Sequence, residues 1–496
     1  MILKSTPNSF TKNGLMLVLF AVAIKLLFFF FFASQKNPEA FVQNTFYSIF
    51  GDARGYIEPV ENLINKGEHR TNGGNYTFRT PGYSPVLLFF RSFFDLKWAL
   101  NSTLILQAIL SGISCYILAL LSFNLFSSKK LFYFVFIGYT FSTYVSIWDS
   151  YILTESFATS TLIFSCFFFE RSIRTNSKLQ ILFSGIFITW SIFLRPFVVP
   201  VLVLLLFALV AHFYKRKSFK KLGQFVIIFI IPFVLIDSLW IYRNYRISDE
   251  FVPLQSRITY NDGELLNEDL DVKLIIADFV RPFGGDHTFW NPKGAAYWFF
   301  NDDTYTATDP FPDQLFNSTL TLDTLKKVKS LCIQIESGSF SHEETTSQKH
   351  YISTTVKKFY KTYRSDHPFH FYITSKFIHL KKFILHSGVY NIPFPAFADQ
   401  NIFQKFFKLF YSFIYLGVSI IGLFSSFYLV ISNIKTNQFR SVLFSIPLYF
   451  LFLFPIVLMI HEYRFNTLSY PFLLIATCYF IVSVLEWFKN KRTATR

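Results

Sequence analysis

The stretch GLMLVLFAVAIKLLFFFFFAS, residues 14–34, decides the fold class. It is apolar over the length needed to cross a bilayer, roughly 20 residues, and only Lys25 interrupts it. Its basic flank resembles that of a signal peptide. The apolar run is longer than a usual leader core, so it reads as a permanent anchor. The same pattern recurs near 97–122, 131–147, 152–170, 179–194, 196–214, 222–242, 405–431, 440–460 and 465–488. The chain is therefore expected to be an all-α polytopic membrane protein with about ten transmembrane helices.

Composition agrees. The 496 residues are 52% hydrophobic and 21% aromatic, with 68 Phe, which excludes an ordinary set of soluble domains. A net charge of +16 would also suit a nucleic-acid binder. Much of it, however, sits in short loops between apolar runs, and no basic helix interleaved with aromatics occurs, so no nucleic-acid partner is expected. The four cysteines, Cys115, Cys166, Cys332 and Cys478, have no metal-ligand spacing, and three of them lie in apolar runs.

Charge sets the orientation. Lys12, Lys129, Lys130, Arg171, Arg174, Lys178, Lys215–Lys221, Lys435, Arg440 and Lys489–Arg492 fall on one side only if both termini are cytoplasmic. The cell (inner or plasma) membrane is the expected location. Two long segments then lie outside: a first loop, 35–96, and an insert, 243–404. Domains are drawn accordingly as a transmembrane half 1–242, an extracytoplasmic domain 243–404 of helices and irregular segments, and three last spans within 405–496. Within the insert, Asp262 to Asp313 is rich in Asp, Gly, Pro and Trp and reads as loops, whereas about 321–388 reads as three helices. In the last of these, Phe371, Ile378, Phe383 and Ile384 among basic residues suit a helix lying on the membrane surface.

The first loop carries the chemistry: Gly51-Asp52-Ala53-Arg54-Gly55-Tyr56, then Arg79-Thr80-Pro81-Gly82-Tyr83-Ser84-Pro85. Tyr56, Val60, Leu63 and Ile64 share a helical face that would hold Asp52 near the interface. A carboxylate there serves either as a general base for a hydroxyl or as a helix N-cap. Arg54, Arg79, Arg195 and Arg464 map to the same side, and the guanidinium fork suits phosphate. Lys25, inside a span, either snorkels or meets an anion such as a lipid phosphate. Glu155 is either a dipole-favoured helix start or a second acid, with Asp149 a weaker candidate. His461 and Glu462 form an adjacent pair with weak metal-ligand character. No P-loop, dinucleotide fingerprint or Ser-His-Asp spacing is present.

Taken in order, these motifs resemble a known family. Asp52-x-Arg54-x-Tyr56 follows the first span, Pro81-Gly82-Tyr83-x-Pro85 enters the second, and Thr154-Glu155 opens the fourth. Leu194-Arg195-Pro196, Trp240-x-x-Arg243-Asn244-Tyr245 and Glu462-Tyr463-Arg464-Phe465 follow in the expected places. The chain resembles the GT-C membrane glycosyltransferases, family 39 type, which include protein mannosyltransferases and aminoarabinose transferases. The resemblance implies a GT-C fold and transfer of a hexose or pentose from a polyprenyl-phosphate donor to a lipid, glycan or protein acceptor at the outer face. It also implies Asp52 as base, Glu155 and Arg464 near donor phosphate or acceptor, and a place in making cell-envelope glycans. Membrane lipids are the surrounding partners.

Departures leave the subfamily and the metal open. Aminoarabinose transferases carry an acidic metal contact and a Lys before the loop proline, where this chain has Arg79-Thr80. The Asp-Glu pair of protein mannosyltransferases is absent, since Ala53 follows Asp52. No cofactor is assigned, and a divalent metal stays open. Two other readings compete: a lipid-linked glycan ligase or polymerase, and a membrane transporter or flippase. The first would place its large loop late in the chain, and the second would place charges at mid-membrane in paired broken helices.

Overall fold

The computed structural model describes residues 8–49, 51–72, 77, 79–255, 271–289, 291, 294–301, 311, 313–318 and 320–494. Secondary structure is helical throughout, and no strand occurs among the described residues. Among the described residues, eight helices are long and apolar enough to cross a membrane: Asn13–Lys36, Leu96–Phe126, Lys129–Ser150, Pro196–Lys215, Phe219–Ser248, Ile402–Asn433, Gln438–Val457 and Tyr470–Arg492. The chain is thus an all-α, multi-pass membrane protein.

The runs near 152–170 and 179–194 form helices Glu155–Thr175 and Lys178–Leu194. The second is apolar but only 17 residues long. The first is rich in hydroxyls, and Ser156, Thr159, Ser160, Thr161 and Ser165 are all buried. It packs between Leu96–Phe126 and Lys178–Leu194. A helix enclosed by protein on most sides has little need of an apolar surface, which is why hydropathy undervalues it.

Small residues allow close crossings. A Cβ added at Gly112 would lie 2.5 Å from Val22 Cα, so the Leu96–Phe126 helix runs almost backbone to backbone with Asn8–Lys36. The third apolar run is interrupted. Lys129–Thr140 ends at Phe141, and the chain resumes as Thr143–Ser146 and a short 3-10 turn, Ile147–Ser150. The run expected to start at 465 becomes helical only at Tyr470, because Tyr463–Leu468 forms a 3-10 turn.

The chain divides into two compact units. One comprises Met1–Ser256, Ser387–Leu448 and Arg464–Arg496, and the other Arg257–His386 with Tyr449–Tyr463. The second unit's main segment, Arg257–His386, falls within the insert drawn at 243–404. The Phe219–Ser248 helix ties down the chain after it. Trp240 Nε1 donates to Leu254 O (2.5 Å), Asn244 Nδ2 to Val252 O (2.9 Å), and Leu254 N donates to Asp237 Oδ1 (3.2 Å).

The second unit has its own core, formed by Ile275, Phe279, Leu325, Val356, Phe359 and neighbours. Helices Leu322–Glu336 and His342–Asp366, then a helical stretch His370–Ile384, fill the region expected to hold three helices. Two expectations need correction. The supposed loops around 262–313 include a buried helix, Val272–Val280, whose apolar run was too short to assign by period. Residues 262–270 lie outside the described residues. Phe371 and Phe383 are buried within this unit, so the face they define is spent on its own packing. The aromatics exposed on that stretch are Phe369, Tyr372 and Phe377.

Candidate functional site

Asp52 lies in the 3-10 turn Gly51–Ala53 that leads into helix Arg54–Lys66. It does not cap that helix, whose N-cap is Ala53. Its two oxygens are taken by separate arginines. Arg79 donates from one terminal nitrogen to Oδ1 at 2.7 Å, and Arg464 donates to Oδ2 at 3.0 Å. Arg79 also donates to Tyr56 Oη at 2.8 Å, and its guanidinium lies 4.7 Å from the Tyr56 ring centre. Arg54 is exposed, and no polar contact joins it to Asp52 among the described residues.

The pairing sets the charge state. Burial alone would raise the Asp52 carboxyl. The charges of Arg79 and Arg464, the hydrogen bond from Arg464 and the charge of Arg195 outweigh it and bring the pKa down to about 2.

The loop is held by specific packing. Gly82 N donates to Phe193 O (3.0 Å), and Trp190 Nε1 donates to Gly82 O (3.0 Å). A Cβ at Gly82 would fall 2.3 Å from the Phe193 carbonyl, so only glycine permits this approach. Tyr83 Oη donates to Gln107 Oε1 (2.9 Å), and Gln107 Nε2 reaches the carbonyl of Tyr151 (3.0 Å). The same loop that carries Arg79 is therefore tied to the segment preceding Glu155.

Glu155 begins its helix and forms an ion pair with Arg195, the residue that ends Lys178–Leu194. Their side chains are 2% and 13% exposed, so the pair is almost fully withdrawn from water. Phe465 links the two arginine groups. Its ring centre is 5.7 Å from the Arg195 guanidinium and 5.1 Å from that of Arg464. Asp52, Arg79, Tyr56, Arg464, Phe465, Arg195 and Glu155 make one connected cluster at an end of the helical unit. In the sequence, Tyr56 reads as part of an apolar helical face and Phe465 only as part of a motif. Their roles depend on partners far away in sequence, and no spacing signals them.

Lys25 requires correction. It is fully buried and takes no part in this cluster. Its ammonium donates to Tyr139 O (2.9 Å), Ser142 O (3.3 Å) and Ser146 Oγ (2.7 Å). Its three protons are used where the Lys129–Thr140 helix breaks and main-chain carbonyls need donors. Asp149 is likewise buried and accepts from Ser156 Oγ at 2.5 Å.

His461 and Glu462 belong to the second unit. His461 Nδ1 lies 2.9 Å from His379 Nδ1, and Glu462 Oε1 lies 3.1 Å from His287 Nε2. His461 Nε2 also lies 3.7 Å from Asp286 Oδ2, next to the His287 that Glu462 faces, yet no group of three or more suitable side chains is arranged for a metal among the described residues. Beside Asp52, both carboxylate oxygens already face guanidinium groups. That donor set does not fit a cation. Compared with protein-family models and with curated proteins, the sequence matches none.

Proposed function

We propose that this chain is a membrane glycosyltransferase of GT-C fold with ten spans, moving a hexose or pentose from a polyprenyl-phosphate donor to a lipid, glycan or protein hydroxyl. The observation that carries the proposal is the Asp52 carboxylate held between Arg79 and Arg464, with the Arg195–Glu155 pair beside it. A lipid phosphate leaving group develops negative charge, and fixed guanidinium groups stabilise such charge most where water is scarce. Asp52 accepts the acceptor's hydroxyl proton as its oxygen bonds to the anomeric carbon. The bond from that carbon to the donor phosphate breaks, and the electron pair leaves with the polyprenyl phosphate.

A carboxylate with a pKa of about 2 is a weak base in the resting protein. The donor phosphate offers Arg79 and Arg464 an alternative anion. As they turn to it, Asp52 loses the charges that depress its pKa and gains basicity. The resting ion pairs thereby hold the base inactive until the donor is bound. Glu155 positions Arg195 toward the phosphate and stays with it. In this account the Asp52 end of the bundle is extracytoplasmic and both termini are cytoplasmic, as the loop charges favour.

The test is to incubate the purified full chain with labelled polyprenyl-phosphate sugars and membrane extract. Label transferred to a lipid, glycan or protein product supports the reading. Absence of transfer from a panel of hexose and pentose donors, by protein shown to be folded, counts against it.

A further inference from the structure

A second polar site lies at the opposite end of the same helices. Glu155 and Glu170 are fifteen residues apart on helix Glu155–Thr175, which separates them by about 22 Å along the axis. Around Glu170 is a cavity of about 280 Å³, lined by the ends of Leu96–Phe126, Glu155–Thr175 and Val199–Lys215 and by the start of Gln438–Phe452. All of the lining residues belong to the first unit. These are terminal turns of apolar helices, at the level where headgroups would lie, and the turn between Val199–Lys215 and Phe219–Ser248 with its flanking helix ends carries Lys215, Lys217, Lys220 and Lys221.

The lining favours an anion. Arg174, Arg216 and Arg440 stand against the single carboxylate of Glu170. That carboxylate is already engaged, since Asn124 Nδ2 donates to it at 2.8 Å and Arg174 Nε lies 3.5 Å away. Arg440 is held in place: it donates to the carbonyl of Leu125, and its guanidinium sits 4.9 Å from the Phe126 ring centre. Two lining residues, His212 through Nε2 and Arg440 through Nε, keep a buried nitrogen with no hydrogen-bond partner among the described residues. Buried polar atoms left unsatisfied are costly, and a bound group with several acceptor oxygens would relieve that cost. The helix starting at Gln438 adds the positive end of its dipole.

We propose that this cavity binds a phosphate group. Its oxygens would accept from Arg216, Arg440 and His212, while Glu170 keeps Arg174 and Asn124. The source is either the headgroup of an anionic phospholipid or a soluble phosphate, and basic pockets between membrane helices commonly take the former. The site shares no residue with the Asp52 cluster, so it stands or falls independently of the transferase reading.

The full-length protein in neutral detergent is titrated with phosphatidylglycerol, phosphatidylcholine or inorganic phosphate, following thermal unfolding and lipid retention by native mass spectrometry. The expected result is salt-sensitive stabilisation by phosphatidylglycerol, with one molecule retained per chain and little effect of phosphatidylcholine. Binding should weaken tenfold or more in the Arg174→Gln/Arg216→Gln double variant, where both altered side chains are exposed and folding should survive. Arg440→Gln should weaken it similarly. Response to inorganic phosphate alone, lost in the same variants, supports the site and assigns a soluble ligand. Equal response to the two lipids with none to phosphate, or binding unchanged in the double variant, overturns the proposal.

Discussion

Arg464 donates to Asp52 at 3.0 Å across 412 residues of sequence, joining the start of the first loop to the segment before the last helix. With Arg79 on the other oxygen, the carboxylate is ionised and occupied at rest. Its pairing governs both the charge state of the site and the way an anionic donor would enter it.

The first consequence concerns pH. The folded pKa of about 2 lies below the ordinary value of 3.8. The ion pairs therefore add stability that is fully present above the ordinary value and is lost as pH falls through about 2. In the free protein Asp52 stays ionised across neutral pH. The kcat/KM profile between about pH 5 and 8 should show no acid limb removable by Asp52→Asn. A limb in that range that disappears in the variant would mean that Asp52 is not paired in solution as it is here.

Arginine geometry is the second. Arg464→Lys keeps the charge but loses the planar fork, so KM for a polyprenyl-phosphate sugar should rise roughly tenfold or more. Steady-state kinetics with the donor varied would measure it, and an unchanged KM would remove Arg464 from phosphate recognition.

Lys25→Met tests the corrected role of the buried lysine. Three acceptors at the helix break would lose their donor, at a cost of about 1–3 kcal/mol. Thermal unfolding should shift down by several degrees while donor KM stays within about twofold. A large rise in KM with unchanged stability would restore Lys25 to the phosphate site.

Gly82→Ala should displace the loop that carries Arg79, because the new methyl would overlap the Phe193 backbone. Overpacking of this kind costs about 1–3 kcal/mol, and transfer activity should fall with stability. Gly223→Ala is the control. Nothing lies within 4 Å of a Cβ there, and the site is helical, so stability should hold or improve by about 0.5–1 kcal/mol. Differential scanning fluorimetry on both variants decides the matter.

Much of the fold was legible because lipid-facing helices must be apolar, and runs such as 14–34 and 97–122 declare themselves. The enclosed helix Glu155–Thr175 was placed within a few residues, although its buried hydroxyls lower its hydropathy. Sidedness brought Asp52, Arg79, Arg195 and Arg464 to one face, since loop charge carries that information. Which arginine takes which oxygen depends on tertiary packing, and so does the Arg195–Glu155 pair. Lys25 misled for the same reason. A lysine inside a span looks functional until the broken helix beside it, invisible in the apolar run 131–147, supplies its partners. The Val272–Val280 helix escaped because nine residues are too few to separate a helix from a buried apolar loop.

The most direct test is Asp52→Asn under single-turnover conditions with the donor prebound. The variant keeps size and shape but cannot take the hydroxyl proton. Donor should still be bound, and the transfer step should slow by roughly a hundredfold or more. Transfer at the unmodified rate, in protein that unfolds at its usual temperature, would contradict the central claim that Asp52 is the base.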